Sequence, residues 1–249
     1  MNFPFFIFLL SVTCQAHVPK ALEAVKRDFD HRQQASKTML KTIISLGELE
    51  TSSPTRTLTC TFASSPTANI YWQFNGKTIQ GSEFNYEKNP KLRNVKKPLT
   101  DSGLFSSTFT IPCPPQNGTY SCIAENGFER VESSTLLSFD NASSSCSSAS
   151  KEVPQIWLFT VSLFERESNT ATLSCRATSD SPMIWQWYFE DSLISTDERY
   201  TVLKNGDLRI KNIKWSDKGD YNCVARNEFG DSERELYLYP LSTLKTVLH

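Results

Sequence analysis

Histidine is the scarcest chemistry in this chain: three residues in 249, at His17, His31 and His249. None falls in the central body, so no Ser-His-Asp or Cys-His nucleophile site can be assembled there. Glycine is sparse too, with nine residues, and no Gly-rich loop of the kind that cradles phosphate is present. Neither sign of charge dominates: 26 Lys and Arg face 27 Asp and Glu, a formal net charge of −1. That balance lacks the basic excess of a general nucleic-acid binder. Beyond residues 3–12, no apolar run approaches the roughly 20 residues that a helix needs to cross a bilayer. Paired acids such as Glu190-Asp191 and Asp197-Glu198 sit in turn-like sequence and read as solvated surface. With the cysteines expected in disulfides, no metal cluster, cofactor or catalytic residue is expected, and the chain does not read as an enzyme.

Cysteine is what the chain has in excess, at seven residues. Residues 1–16, MNFPFFIFLLSVTCQA, have the apolar core and the small −3 and −1 residues (Cys14, Ala16) of a cleaved secretory signal peptide, although the start has no Lys or Arg. Cleavage removes Cys14 and leaves an even set: Cys60, Cys113, Cys122, Cys146, Cys175 and Cys223. The product is expected to be secreted and extracellular, where disulfides persist. Two acceptor sequons, at Asn117 and Asn141, suit that compartment.

The body of the chain is one pattern written twice. Cys60 and Cys175 are each followed twelve residues on by a tryptophan, Trp72 and Trp187. Later come Gly118-Thr-Tyr120-Ser-Cys122-Ile-Ala124-Glu-Asn126 and Gly219-Asp-Tyr221-Asn-Cys223-Val-Ala225-Arg-Asn227. Around these marks apolar and polar residues alternate, as half-buried strands require. This Cys…Trp…Tyr-x-Cys arrangement resembles an immunoglobulin domain, twice. The resemblance implies an all-β fold of two tandem sandwiches, at about 43–140 and 152–240. It also implies bridges Cys60–Cys122 and Cys175–Cys223 beside Trp72 and Trp187, with Tyr120 and Tyr221 as tyrosine corners. The second copy resembles the I-set closely, with Arg199 placed to pair with Asp217. The first departs from it, with Gln116 for the Asp, Glu129 for the hairpin Gly and a longer insert between strands C and E. Cys113 and Cys146 remain: they either clasp the linker to the first domain, pair between molecules or stay free.

The segment 141–151 is Ser-rich and reads as a linker, and residues 241–249 as a tail. Residues 17–42, with Leu22, Val25, Phe29 and Leu40 near helical spacing, read as a short helix or a mobile arm. They carry six cations against three anions, whereas residues 152–240 carry ten against fifteen. Such a dipolar chain could associate head to tail, as a homo-oligomer, or steer a charged partner.

Function is therefore sought in recognition surfaces. The run Lys88, Lys91, Arg93, Lys96, Lys97 reads either as a solubilising loop or as an anion-binding site for heparan sulfate. On the outward parity of strands C, F and G of the second domain lie Ile184, Tyr188, Val224 and Tyr237, a candidate protein-binding face. Residues 156–164 are apolar on both parities, so the second face packs on a neighbour or the strand switches sheets.

The layout as a whole resembles the secreted members of the nematode zwei-Ig family. That resemblance implies a neuronal extracellular factor that maintains axon and cell-body position by binding cell-surface or matrix proteins. The architecture is also similar to secreted insect two-immunoglobulin proteins that bind insulin-like peptides. This supplies the alternative of hormone sequestration, with residues 157–164 as the apolar groove.

Overall fold

A computed structural model describes residues 57–65, 67–82, 102–113, 115–126, 129–139 and 153–242, together with the backbone of 43–46 and 50–52. The expected signal peptide, the 17–42 segment, the basic run at 88–97, Asn141 and Cys146 lie outside the described residues.

The first half forms β1 (Ile43–Leu46), β2 (Glu50–Ser52), β3 (Thr57–Ser65), β4 (Asn69–Phe74), β5 (Lys77–Gly81), β6 (Ser102–Thr110), β7 (Gly118–Glu125) and β8 (Arg130–Leu137). The second forms β9 (Gln155–Arg166), β10 (Ala171–Leu173), β11 (Cys175–Thr178), β12 (Ile184–Phe189), β13 (Ser192–Leu193), β14 (Tyr200–Val202) and β15 (Leu208–Ile210). A 3-10 turn (Trp215–Asp217), β16 (Gly219–Asn227) and β17 (Gly230–Leu241) complete it. The described elements are thus strands and one short turn, the all-β class that the alternating sequence implies.

Each half packs two sheets around a disulfide and a tryptophan. Cys60 is bonded to Cys122 across 62 residues, and Cys175 to Cys223 across 48. Closing loops of that length removes roughly 4 kcal/mol of chain entropy from each unfolded segment. Trp72 and Trp187 are fully buried, and each indole N–H is satisfied. Trp72 Nε1 donates to Ser107 Oγ at 2.8 Å, whereas Trp187 Nε1 donates to the Gly206 carbonyl at 2.9 Å. The two tyrosine corners form: Tyr120 Oη donates to the Gln116 carbonyl and Tyr221 Oη to that of Asp217, both at 3.0 Å. Burial pushes both phenols above their ordinary pKa. The first copy therefore keeps its corner without the Asp, because the acceptor is a backbone carbonyl that any residue supplies. Equivalent two-residue hairpins also form from different residues, with positive φ at Asn75 and Gly76 in one copy and at Glu190 and Asp191 in the other.

The two halves share a sheet. In the second, β15 (strand E) lies between β10 (strand B) and β14 (strand D). In the first, β6 (strand E) has β3 (strand B) on one side and, on the other, β9, the first strand of the second half. Pairing runs antiparallel from Ser102↔Phe164 to Ser107↔Leu158. The far edge of β9 pairs first with β11 and then, parallel, with β17. A ten-stranded sheet thus runs through both halves. Both readings of the doubly apolar 156–164 segment hold together: the strand switches sheets within its own domain and packs on its neighbour.

Register explains the apolar residues on both parities. Residues directly opposite one another point to the same side of a sheet. Leu158 faces Ser107, whose hydroxyl lies against Trp72 in the first core. Phe159 faces Cys175, which lies in the second. Successive residues of β9 therefore enter different cores, and the buried residues of both halves merge into one cluster. Gly103 permits the close approach, because a Cβ there would stand 2.7 Å from the Ser162 carbonyl oxygen.

Candidate interaction surface on the shared sheet

The side of the sheet turned away from the second core is set by the β12–β16–β17 ladder. Ile184 stands opposite Arg226 and then Asp231, Gln186 opposite Val224 and Glu233, and Tyr188 opposite Asn222 and Glu235. Asp220 stands opposite Tyr237. The four residues expected from parity do share this face, but not as a contiguous exposed patch. Ile184 is 59% exposed, Tyr188 and Tyr237 are half-buried, and Val224 is buried at 6%. Val224 is a correction: alternation gives its direction, but a central-strand position between Gln186 and Glu233 leaves it little solvent.

The same face is acidic. Asp220, Asp231, Glu233 and Glu235 are exposed, and the one cation among them, Arg226, pairs with Asp231 at 2.7 Å. The Asp231 carboxylate raises the Arg226 pKa further. Both side chains are about half exposed, so the pair adds little stability. Asn222 Nδ2 donates to Glu233 Oε2 at 3.2 Å.

Toward the junction the face becomes aromatic. Phe164 on β9 stands opposite Tyr239 on β17, with ring centroids 5.7 Å apart. Tyr239 in turn meets Trp215 edge-on at 5.7 Å. Lys218 Nζ lies over both rings, 5.2 Å from Trp215 and 5.0 Å from Tyr239. On the first-half side, Phe164 packs with Val161 against Leu104 and Ala63. The row therefore crosses from one immunoglobulin half to the other. Sequence reasoning reached Phe164 only as part of an apolar run, and it missed Tyr239 and Trp215. The available signal for Trp215 was its setting: a lone tryptophan between Lys214 and Lys218 in a polar turn has no strand alternation to bury it.

Behind this face the E–F turn is held by charge. Asp217 Oδ2 accepts from Arg199 Nη2 at 2.5 Å and from the Lys214 N–H at 2.8 Å, while its Oδ1 accepts from Tyr200 Oη at 3.2 Å. Asp217 is buried, so this pairing positions the turn that carries Trp215. In the first half, Cys113 is disulfide-bonded. Asn117 is exposed and its Oδ1 accepts the Phe139 N–H at 2.7 Å.

Comparison with known proteins fits this geometry. The immunoglobulin I-set domain model matches residues 157–239, and a second immunoglobulin domain model matches residues 44–126. Zwei Ig domain protein zig-4 of Caenorhabditis elegans is 40% identical over 249 residues, covering 95% of this chain and 97% of that protein. Zwei Ig domain protein zig-3 of the same organism is 40% identical over 225 residues, covering 88% of each. Among solved structures, that of neural ectodermal development factor IMP-L2 superposes with a TM-score of 0.62 at 19% identity, covering 82% of this chain and 98% of that one. So wide a superposition takes in both halves. The chain belongs to the Zwei Ig domain protein family.

Proposed function

We propose that this chain is a secreted recognition protein of the nervous system, which maintains axon and neuronal position by binding cell-surface or matrix proteins. The observation that carries this reading is the cluster Phe164–Tyr239–Trp215, partly exposed aromatic side chains at the junction of the two halves, seated on the buried Leu104 and Ala63. Partly exposed aromatic residues on a fixed scaffold are the side chains that dominate protein–protein binding energy. Kinship with Zwei Ig domain proteins over nearly the full chain supports the setting. So do the two intrasandwich disulfides, and among the described residues no helix is long and apolar enough to cross a membrane.

Sequestration of insulin-like peptides is the less favoured reading. The groove it needs, residues 157–164, is spent on the junction: Trp157, Leu158 and Leu163 are buried, and β9 is paired on both edges. Binding of the purified mature protein to arrays of neuronal surface and matrix ectodomains, beside insulin-like peptides, separates the two. Trp215→Ala and Tyr239→Ala are expected to weaken receptor binding at least tenfold, the scale of a truncated binding hot spot. Nanomolar binding of an insulin-like peptide with no receptor bound overturns the reading.

The same reading includes cleavage after Ala16, glycans on Asn117 and Asn141, and a clasp between Cys113 and Cys146. Cys113 is already in a disulfide, and Cys146 is its natural partner once the signal segment with Cys14 is gone. The engaged atom of Asn117 is its oxygen, which leaves the nitrogen to carry a glycan. Peptide mass spectrometry without reduction reads all three features.

A further inference from the structure

At the corner where β9, β17 and the 3-10 turn meet, cations gather around the exposed tryptophan. Arg166 lies two residues beyond Phe164 on β9, on the same side of the sheet by alternation and opposite Leu241. Its Nε is buried without a hydrogen-bond partner. Lys214 and Lys218 flank the turn, and no ion pair among the described residues engages Arg166, Lys214 or Lys218. Trp215 is 49% exposed, steadied edge-on by Tyr239. The acids in this corner are spoken for: Asp217 is buried against Arg199, and Glu165 is buried, accepting from the Arg166 N–H and from Asn169 Nδ2. Glu167 is the half-exposed exception.

We infer that this corner binds a sulfated glycosaminoglycan chain. Cations without an acidic partner beside a flat, half-exposed indole match a polyanion built of rings: sulfates meet Arg166, Lys214 and Lys218, the last already held over the Trp215 and Tyr239 rings, while the apolar face of a sugar lies on the part of Trp215 left open. Three cations carried on two elements, β9 and the two ends of the turn, suit a chain better than a single small anion. The field also gives the chain a direction, because Asp220, Glu233 and Glu235 repel a polyanion from the rest of the second-half face. Sulfated glycan is chosen over membrane because anionic lipid is concentrated on the cytoplasmic leaflet, whereas this protein is read as extracellular. The inference rests on that extracellular reading, but its test uses purified full-length mature protein and is decided whether or not a receptor is found.

Retention on immobilised heparin is measured across a NaCl series for the parent protein, Lys214→Glu/Lys218→Glu, Trp215→Ala and a charge reversal of the 88–97 run. The corner double variant is expected to elute at lower salt, with the slope of log affinity against log salt reduced by about 2. Trp215→Ala is expected to weaken binding with the slope unchanged. A Lys214→Gln/Lys218→Gln variant repeats the measurement if the double reversal fails to fold. Unchanged retention of the corner variants overturns the inference, as does loss confined to the 88–97 variant. Binding to phosphatidylserine vesicles without heparin retention overturns it as well.

Discussion

Ser107 and Gly206 show how one requirement is met by different residues. A buried indole N–H must have an acceptor, because leaving it unpaired forfeits the water it gave up on folding. The first half uses a side chain, Ser107 Oγ, and the second a backbone carbonyl. Ser107→Ala is therefore expected to cost about 1–3 kcal/mol in urea unfolding, because the Trp72 N–H keeps its burial and loses its partner. Asp197 gives a pH-dependent case at the same scale. Its Oδ1 accepts the N–H of Tyr200 at 2.7 Å and of Arg199 at 2.6 Å, which holds the carboxyl below its ordinary pKa. A lowered folded pKa stabilises the fold above the unfolded value of about 4, and the gain is lost as pH falls through the folded value. The Tm difference between the parent and Asp197→Ala is thus expected to shrink as pH drops below about 4. A difference that stays constant with pH refutes this account.

Among the elements, β9 carries the most consequence. Its 12 residues have partners on both edges and cores on both faces, so it cannot be altered for one half alone. Gly103 on β6 is a point of close approach between that strand and β9. Gly103→Ala places a Cβ against the Ser162 carbonyl, and an overpacked contact of this kind costs about 1–3 kcal/mol. The expected signature is a melt that broadens or splits into two steps, followed by calorimetry; a single sharp transition at the parent Tm counts against strand sharing. Much of this element was legible beforehand. The run from Ile156 to Phe164 declares burial on both parities, but sequence alone does not say what lies on the second face. Strand alternation is a local property, whereas the partner of an edge is chosen by chain elements some fifty residues away.

For the whole molecule, the shared sheet and merged core turn two modules into one body. An isolated fragment 153–242 would present the unpaired edge of β9 with its apolar residues, a template for self-association. It is expected to elute from size exclusion as dimers or larger species, while the full mature chain keeps that edge covered. A monodisperse monomeric fragment with native disulfide pairing would show that β9 needs no cover. The acidic face and the basic corner likewise exist only at this scale. Glu233 lies on β17 opposite Val224 and Lys218 at the end of the 3-10 turn, and only the fold decides which of them stands beside Trp215.

The two Cys…Trp…Tyr-x-Cys copies are written in the sequence itself, and their resemblance to immunoglobulin domains implied the all-β class and the bridges Cys60–Cys122 and Cys175–Cys223, because in such a domain the buried bridge, the indole and the phenol recur at strand spacing. Parity likewise settled which way Tyr188 and Tyr237 point. Tertiary structure alone decided that Val224 is covered, that Trp215 meets Tyr239 and Phe164, and that β6 takes β9 where β15 takes β14. The physical reason is the range of the forces: alternation and turn chemistry act between near neighbours in sequence. Burial of a side chain and completion of a strand edge depend instead on whichever distant segment arrives beside it.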